Sequence, residues 1–234
     1  MIIGKAIRAR IGSNQVLRGI DIEVQAGQML AVIGANGAGK TSLLRALSNV
    51  IALESGEISF DGRSTAGRSV HELARHGLVH VPQGRQIIPN LSVRDNLLIG
   101  THHQGLSVSE VNERLEQEFD RFPVLRQRQA IAGGSLSGGE QQMLAVSRGL
   151  MMKPKVLMLD EPSLGLAPKI VRLILETLRS LTREGLAVIL VEQAAVLALE
   201  YSDWAIVLRN GECALQGDAA SMAGSQALIE GYLS

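Results

Sequence analysis

The sequence predicts an α/β fold, a largely parallel sheet covered by helices and interrupted by a helical insertion. Three observations predict it. The apolar run Met29 to Ile33 reads as a buried strand, and it passes through a glycine-rich loop into the helix-compatible stretch Ser42-Leu43-Leu44-Arg45-Ala46-Leu47. Two more short apolar runs, Val156 to Leu159 and Ala187 to Val191, also read as buried strands. Between those two lies a helical pattern, Ile170 to Leu181, with Pro168 and Lys169 at its start. Strands alternating with helices in this way imply parallel pairing.

Taken in order, the first sixty residues alternate as strands do, with Ile20, Ile22 and Val24 set against Asp21 and Glu23. Gly56 to Phe60 precedes Asp61-Gly62, a hairpin turn pair. A helix is expected from Ser69 to Arg75, then a short strand from Leu78 to Val81, stopped by Pro82. Past Pro82 the character changes. Ser92 to Asp95 and Ser107 to Glu110 fit the helix-capping pattern, and the residues after each suit helices up to about Phe122. Residues 84–150 are therefore read as a mainly helical insertion. Strand and helix alternation then resumes, and Trp204 to Leu208 and Glu212 to Gln216 flank Asn210-Gly211 as a hairpin.

A chain of 234 residues with 46% apolar residues can bury a sizeable core, made mostly of aliphatic side chains because aromatics are only 3%. Basic and acidic residues balance at 23 each, so no overall positive field recruits nucleic acid. The single cysteine, Cys213, has no internal partner and fits a reducing compartment. Met1 to Arg10 lacks the apolar stretch of a signal peptide, and no apolar run approaches the roughly 18 residues that span a bilayer. Any membrane role is expected to be peripheral. His71, His76, His80, His102 and His103 show no metal-ligand spacing and are read as structural or solvated.

The segment Gly34-Ala35-Asn36-Gly37-Ala38-Gly39-Lys40-Thr41, followed by Ser42, fits the phosphate-cradling P-loop pattern in its required strand-to-helix setting. Glycines let the loop fold tightly, so that successive backbone N–H groups and a helix N-terminus point at one phosphate. Lys40 would reach the outer phosphates and the Thr41 hydroxyl would bind magnesium. A second constellation, Asp160-Glu161, sits at the end of an apolar strand, where α/β sheets place ligands. Asp160 suits a magnesium ligand and Glu161 a residue that orients the attacking water. The third, Leu136-Ser137-Gly138-Gly139-Glu140, reads as a capped helix start whose exposed N–H groups offer a phosphate site.

Together the P-loop, the strand ending in Asp-Glu and the Leu-Ser-Gly-Gly between them resemble the ATP-binding cassette ATPases over essentially the whole chain. The resemblance implies a P-loop NTPase fold of ABC type. Residues 1–83 and 151–234 would form the mixed-sheet core with an antiparallel β subdomain, and about 84–150 the helical subdomain. It implies ATP and Mg2+ as ligands, with Thr41, Gln83 and Asp160 around the metal, and Glu161 and Gln193 as catalytic residues. Gln83 looks like the residue that senses magnesium and couples to a membrane partner. Leu136 to Glu140 looks like the signature that caps ATP held by a second ATPase subunit, a sister chain or a copy, in a head-to-tail dimer. Two transmembrane permease subunits and, indirectly, a periplasmic solute-binding protein are the further implied partners. The implied location is the cytoplasmic face of the inner membrane. Pro82 to Arg85, Leu136 to Ala145, Asp160 to Pro168 and Leu190 to Gln193 are similar to the ATPase of branched-chain amino acid importers, with urea and amide importers carrying related words.

Three positions depart from the family pattern. Gln193 stands where most cassettes carry a histidine against the γ-phosphate, and an amide donates a hydrogen bond without carrying charge. Ala167 replaces a usual aspartate. Ile11 or Arg10 stands where an aromatic ring would stack on adenine, so the base would be covered by apolar contact or by a guanidinium. These departures motivate a second reading, an ATP-gated regulatory module with little hydrolysis.

Overall fold

The computed structural model describes residues 1–102 and 104–224; His103 and the end of the 151–234 span, residues 225–234, lie outside the described residues. The chain opens with β1 (Ile2–Ile11) and β2 (Asn14–Val24), then β3 (Met29–Gly34) and α1 (Lys40–Leu47). β4 (Leu53–Phe60), β5 (Arg63–Ser64), α2 (Val70–Arg75) and β6 (Leu78–Val81) follow. A helical stretch comes next, with α3 (Val93–Ile99), α4 (Val108–Arg121), α5 (Pro123–Gln127) and α6 (Gly138–Leu150). The last part runs β7 (Val156–Asp160), α7 (Pro168–Arg183), β8 (Ala187–Glu192), α8 (Ala195–Tyr201), β9 (Trp204–Arg209), β10 (Glu212–Asp218) and α9 (Ala219–Ala223).

Two sheets form among the described residues. One is antiparallel in the order β2-β1-β4-β5, and the other runs β10-β9-β3-β8-β7-β6 with only β10 antiparallel to its neighbour. The side-chain period of two splits the parallel strands between two cores. Met29, Ala31, Ile33, Leu157, Leu159, Val188 and Leu190 pack with the helices of the 93–183 stretch. Leu30, Val32, Val156, Met158, Ile189 and Val191 face the other way, onto α1 and the antiparallel sheet. Burial on both faces explains why these strands read as unbroken apolar runs.

The long helix α7 shows the helical counterpart of this patterning. Val171, Ile174, Leu175, Leu178 and Leu181 recur at three- and four-residue steps and are buried, while Pro168 starts the first turn without needing an N–H. At the opposite end of the sheet from the P-loop, Arg179 donates to both carboxylate oxygens of Asp203 at 2.7 and 2.6 Å, and Asp203 accepts from the Met29 N–H at 2.8 Å. These bonds hold the Asp203 carboxyl below its ordinary range, the Arg179 contact first among them. Asp203 thereby fixes where β3 and the neighbouring Trp204 of β9 begin; Trp204 pairs with Leu30. Helices α2, α4 and α6 carry reciprocal capping boxes built on Ser69, Ser107 and Ser137.

Glu118, on α4, is the buried exception. It forms an ion pair with Arg121, its Oε2 has no hydrogen-bond partner among the described residues, and burial raises its pKa from 4.5 to about 7 against the opposing charge of Arg121 and the nearby Ser147 hydroxyl. A carboxyl raised on folding binds more protons in the native state than in the unfolded one, so its contribution to stability falls as pH rises from 4.5 to about 7. His80 has the opposite sense, since burial lowers it to about 4. Comparing Glu118→Gln with wild type cancels the histidine contribution. The variant's stability relative to wild type, measured by urea unfolding, is expected to increase across that window, and a pH-independent difference would contradict it.

Candidate functional site

The site is assembled at the C-terminal edge of the parallel sheet, where β3, β7 and β8 all end. β3 finishes at Gly34, where a Cβ would lie 2.6 Å from the Leu208 carbonyl oxygen and 2.9 Å from the Ala38 Cβ. Only glycine fits. Gly39 has φ +107 and would bring a Cβ within 2.9 Å of the Val16 carbonyl oxygen. The loop therefore folds tightly under the β1–β2 ribbon before α1 starts. α1 has no side-chain cap and no acidic residue in its first turn, so its first N–H groups keep their capacity to bind an anion.

Lys40 is the first residue of α1 and is 4% exposed. Its Nζ donates to the carbonyls of Gly34 at 2.8 Å and Ala35 at 3.1 Å, and pairs with Glu161 Oε1 at 3.2 Å. Glu161 also accepts from the Gln83 amide at 3.0 Å. One residue earlier, the Thr41 hydroxyl donates to Asp160 Oδ1 at 3.1 Å. Lys40, Thr41, Gln83, Asp160 and Glu161 thus form one contiguous set, although Lys40 and Glu161 are far apart in sequence. Burial raises the Asp160 pKa; the Thr41 hydrogen bond opposes the shift and the Glu161 charge adds to it. A hydroxyl beside a buried carboxylate supplies the hard oxygen donors that magnesium prefers, so the residues present fit that ion.

Glu161 has φ +48, left-handed backbone that costs a non-glycine residue roughly 1–2 kcal/mol. Its N–H donates to Val191 O at 2.9 Å. Beyond it the turn is clamped by Glu192, which sequence reasoning did not assign to the site. Glu192 is 1% exposed; Oε1 accepts from the Ser163 N–H at 3.0 Å and Oε2 from the Ser163 hydroxyl at 2.7 Å. Burial raises its pKa, with the Ser163 bonds opposing and the Glu161 charge adding. The signal was available: like Asp160, Glu192 ends an apolar strand of the same sheet. Gln193 follows it, exposed at the same edge.

The segment Leu136 to Glu140 lies elsewhere in the chain's own contacts. The Ser137 hydroxyl accepts from the Glu140 N–H at 3.4 Å, and the Glu140 carboxylate accepts from the Ser137 N–H at 2.7 Å while pairing with Arg128 at 3.1 Å. Gly138 packs on Arg85, and Gly139 on Ile170 of α7. None of these partners belongs to the P-loop. Arg10 donates to Glu54 at 2.9 Å and to the Ser13 carbonyl at 3.4 Å, bonds that use in-plane donors of its guanidinium. Ile11 is 45% exposed, on the ribbon whose β2 strand touches Gly39.

Comparison with known proteins decides what this arrangement is. The ABC transporter family model matches residues 17–164, more than half of the chain. This chain belongs to the ABC transporter family. The cassette is 40% identical over 222 residues to the high-affinity branched-chain amino acid transport ATP-binding protein BraG of Pseudomonas aeruginosa, covering 95% of this chain and 94% of BraG. It is 35% identical over 205 residues to the probable branched-chain amino acid transport ATP-binding protein LivF of Archaeoglobus fulgidus, covering 87% and 86% of the two chains. Among solved structures, an ATP-binding cassette of an ABC transporter in its ADP conformation superposes with a TM-score of 0.85 at 25% identity, covering 100% of this chain and 98% of that one. A nucleotide-free cassette shares the fold, with a TM-score of 0.87 at 24% identity over 98% and 97% of the chains. The cassette is therefore a P-loop ATPase domain of the ABC type, and its ligand is an adenine nucleotide.

Lys40→Ala leaves Glu161 without its cation, and a lysine that meets phosphate as the P-loop pattern predicts would take with it a charge-assisted contact of about 1.5–3 kcal/mol. The expected loss of nucleotide affinity is about 10- to 100-fold by calorimetric titration. Wild-type affinity in the variant would remove the P-loop assignment.

Proposed function

We propose that the cassette is the ATP-hydrolysing motor of an importer, with branched-chain amino acids as its cargo, and that it works as one half of a head-to-tail ATPase pair. The observation that carries the reading is the Lys40–Glu161–Gln83 contact. The contact supports the reading because it joins the Glu161 carboxylate both to the lysine of the phosphate-loop pattern and to Gln83, which leads into the helical stretch. The cargo is taken from the two relatives, whose names give branched-chain amino acid transport. Among the described residues no helix is long and apolar enough to cross a membrane. Two separate permease subunits would form the path, with a periplasmic solute-binding protein delivering cargo. The cassette would dock on the cytoplasmic face through the residues around Gln83 to Leu97.

In this reading the N–H groups of Ala35 to Ser42 cradle the phosphates, and Lys40 exchanges the Gly34 and Ala35 carbonyls for phosphate oxygens. Release of Lys40 frees Glu161 to accept a proton from the attacking water. Thr41, Asp160 and Gln83 would hold magnesium, which would supply positive charge against the phosphates. Gln193 donates a hydrogen bond to the transferring phosphoryl group without taking up a proton. Adenine would be covered by apolar contact with Ile11 or by the face of the Arg10 guanidinium, whose edge is paired with Glu54. Leu136 to Glu140 would face the nucleotide of the second subunit, which fits its contacts to Arg128, Arg85 and Ile170, none of them in the P-loop. Residues 84–150 form the helical subdomain between the two parts of the core.

Glu161→Gln keeps the shape of the site but removes the base, so turnover should fall by about two to four orders of magnitude while ATP-bound pairs accumulate on size exclusion. Turnover near wild type would dismiss the assigned role. Gln193→Ala tests the motor reading against a regulatory module: a motor loses transport-coupled hydrolysis in the assembled transporter, whereas a parent complex without such hydrolysis favours regulation.

A further inference from the structure

Immediately after Gln83 the backbone takes three consecutive left-handed steps, Gly84 at φ +83, Arg85 at φ +65 and Gln86 at φ +43. The Gln86 N–H closes back on the Gly84 carbonyl at 2.6 Å, making Arg85 the centre of a γ-turn of the rare, strained hand. Such a conformation persists only where its surroundings over-determine it. Two arginines do so here. Arg148, half-buried on α6, donates to the Gln86 carbonyl at 2.8 Å and reaches the Arg85 carbonyl at 3.5 Å. The Arg85 side chain turns to the start of the same helix, donating to Gln141 Oε1 at 3.1 Å. Its guanidinium lies so close beneath Gly138 that a Cβ there would sit 3.0–3.2 Å from three of its atoms. Gln141 passes the contact on, its amide donating to the carbonyls of Leu136 at 3.2 Å and Gly133 at 3.4 Å.

The geometry points to Arg85 as a positioning residue that, through Gln141, sets the orientation of the Leu136–Glu140 turn according to the state of Gln83 in the same chain. The inference rests on the paired-site reading above, in which that turn faces the second subunit's nucleotide. Gln83 touches Glu161 at one end of this path, and Leu136 begins the turn at the other. The strained segment between them is short and held at both ends. A displacement of Gln83 when nucleotide frees Glu161 therefore moves the Arg85 guanidinium, and with it the surface offered across the pair. The Ser137 cap and the Glu140–Arg128 pair keep the turn itself rigid, so it moves as a unit.

The experiment measures steady-state ATP hydrolysis by the full chain for Arg85→Ala, Gln141→Ala, the double variant and Arg85→Lys, with the thermal midpoint of each. Both single variants are expected to lower kcat about tenfold with KM for ATP within about twofold of wild type. The double variant should be no slower than the slower single one, and Arg85→Lys should regain at least half of the loss. Wild-type kcat in either alanine variant, additive losses, or a loss that tracks the thermal midpoint overturns the proposal. Should Arg85→Ala fail to fold, Gln141→Ala decides by the same kcat criterion. ATP-dependent pairing of Glu161→Gln is the control that separates the two readings. Its absence overturns the paired-site reading, whereas pairing of Glu161→Gln/Arg85→Ala with unchanged ATP dependence overturns the Arg85 inference alone.

Discussion

The parallel register of β3, β8 and β7 is the constraint on which the site depends. Ile33 pairs with Glu192, and Asp160 with Val191, so three strands end at one level with Gly34, Glu192 and Asp160 at their tips. The register is held by burial on both faces: a slip of one residue would exchange the side chains of the two cores. A carboxylate at the end of such a strand reaches the edge because the residues behind it have no freedom to move. The chemistry of the site thus rests on aliphatic packing several residues away.

The polar groups of the same edge satisfy one another. Lys40 binds two loop carbonyls and Glu161, Thr41 binds Asp160, and Glu192 clamps Ser163. Three acids, Asp160, Glu161 and Glu192, share this space, and burial lifts two of them toward neutrality. A nearly buried lysine keeps the cluster from repelling itself. Lys40 has already exchanged water for protein partners, so in the proposed reading an arriving phosphate would not have to desolvate the cation. The left-handed backbone of Glu161 is tolerated because its N–H, the following serine and its carboxylate are all anchored.

What the sequence made legible was what local patterns encode. The P-loop glycines, the Ser137–Glu140 cap, the hairpin at Asn210-Gly211 and the apolar strands each depend on residues within a few positions of one another. β1 was harder to read. Its alternation is broken at Ala6, which has φ +47, and its pairing with β2 shifts between Gly4 and Ile7. Helix α8 starts at Ala195 behind Ala194, which offers no side-chain cap, and so sends no start signal. The clamps made by Glu192, Arg85 and Gln141 stayed out of sight for another reason: they join segments that only the sheet and the helical packing bring together. Arg10 belongs with them, since the Glu54 that pairs with it comes from a neighbouring strand.

The chain has a single tryptophan, and its location has an optical consequence. Trp204 pairs with Leu30 near the start of β3, while Gly34, where the phosphate loop begins, pairs with Leu208 on the same strand as Trp204. Four residues of strand separate the indole from the site, roughly 13 Å at the rise of an extended chain. Its emission is therefore blind to direct contact with nucleotide. A spectral change on ligand addition would instead report an altered environment at the far end of the sheet, where Arg179 grips Asp203 and the indole is exposed.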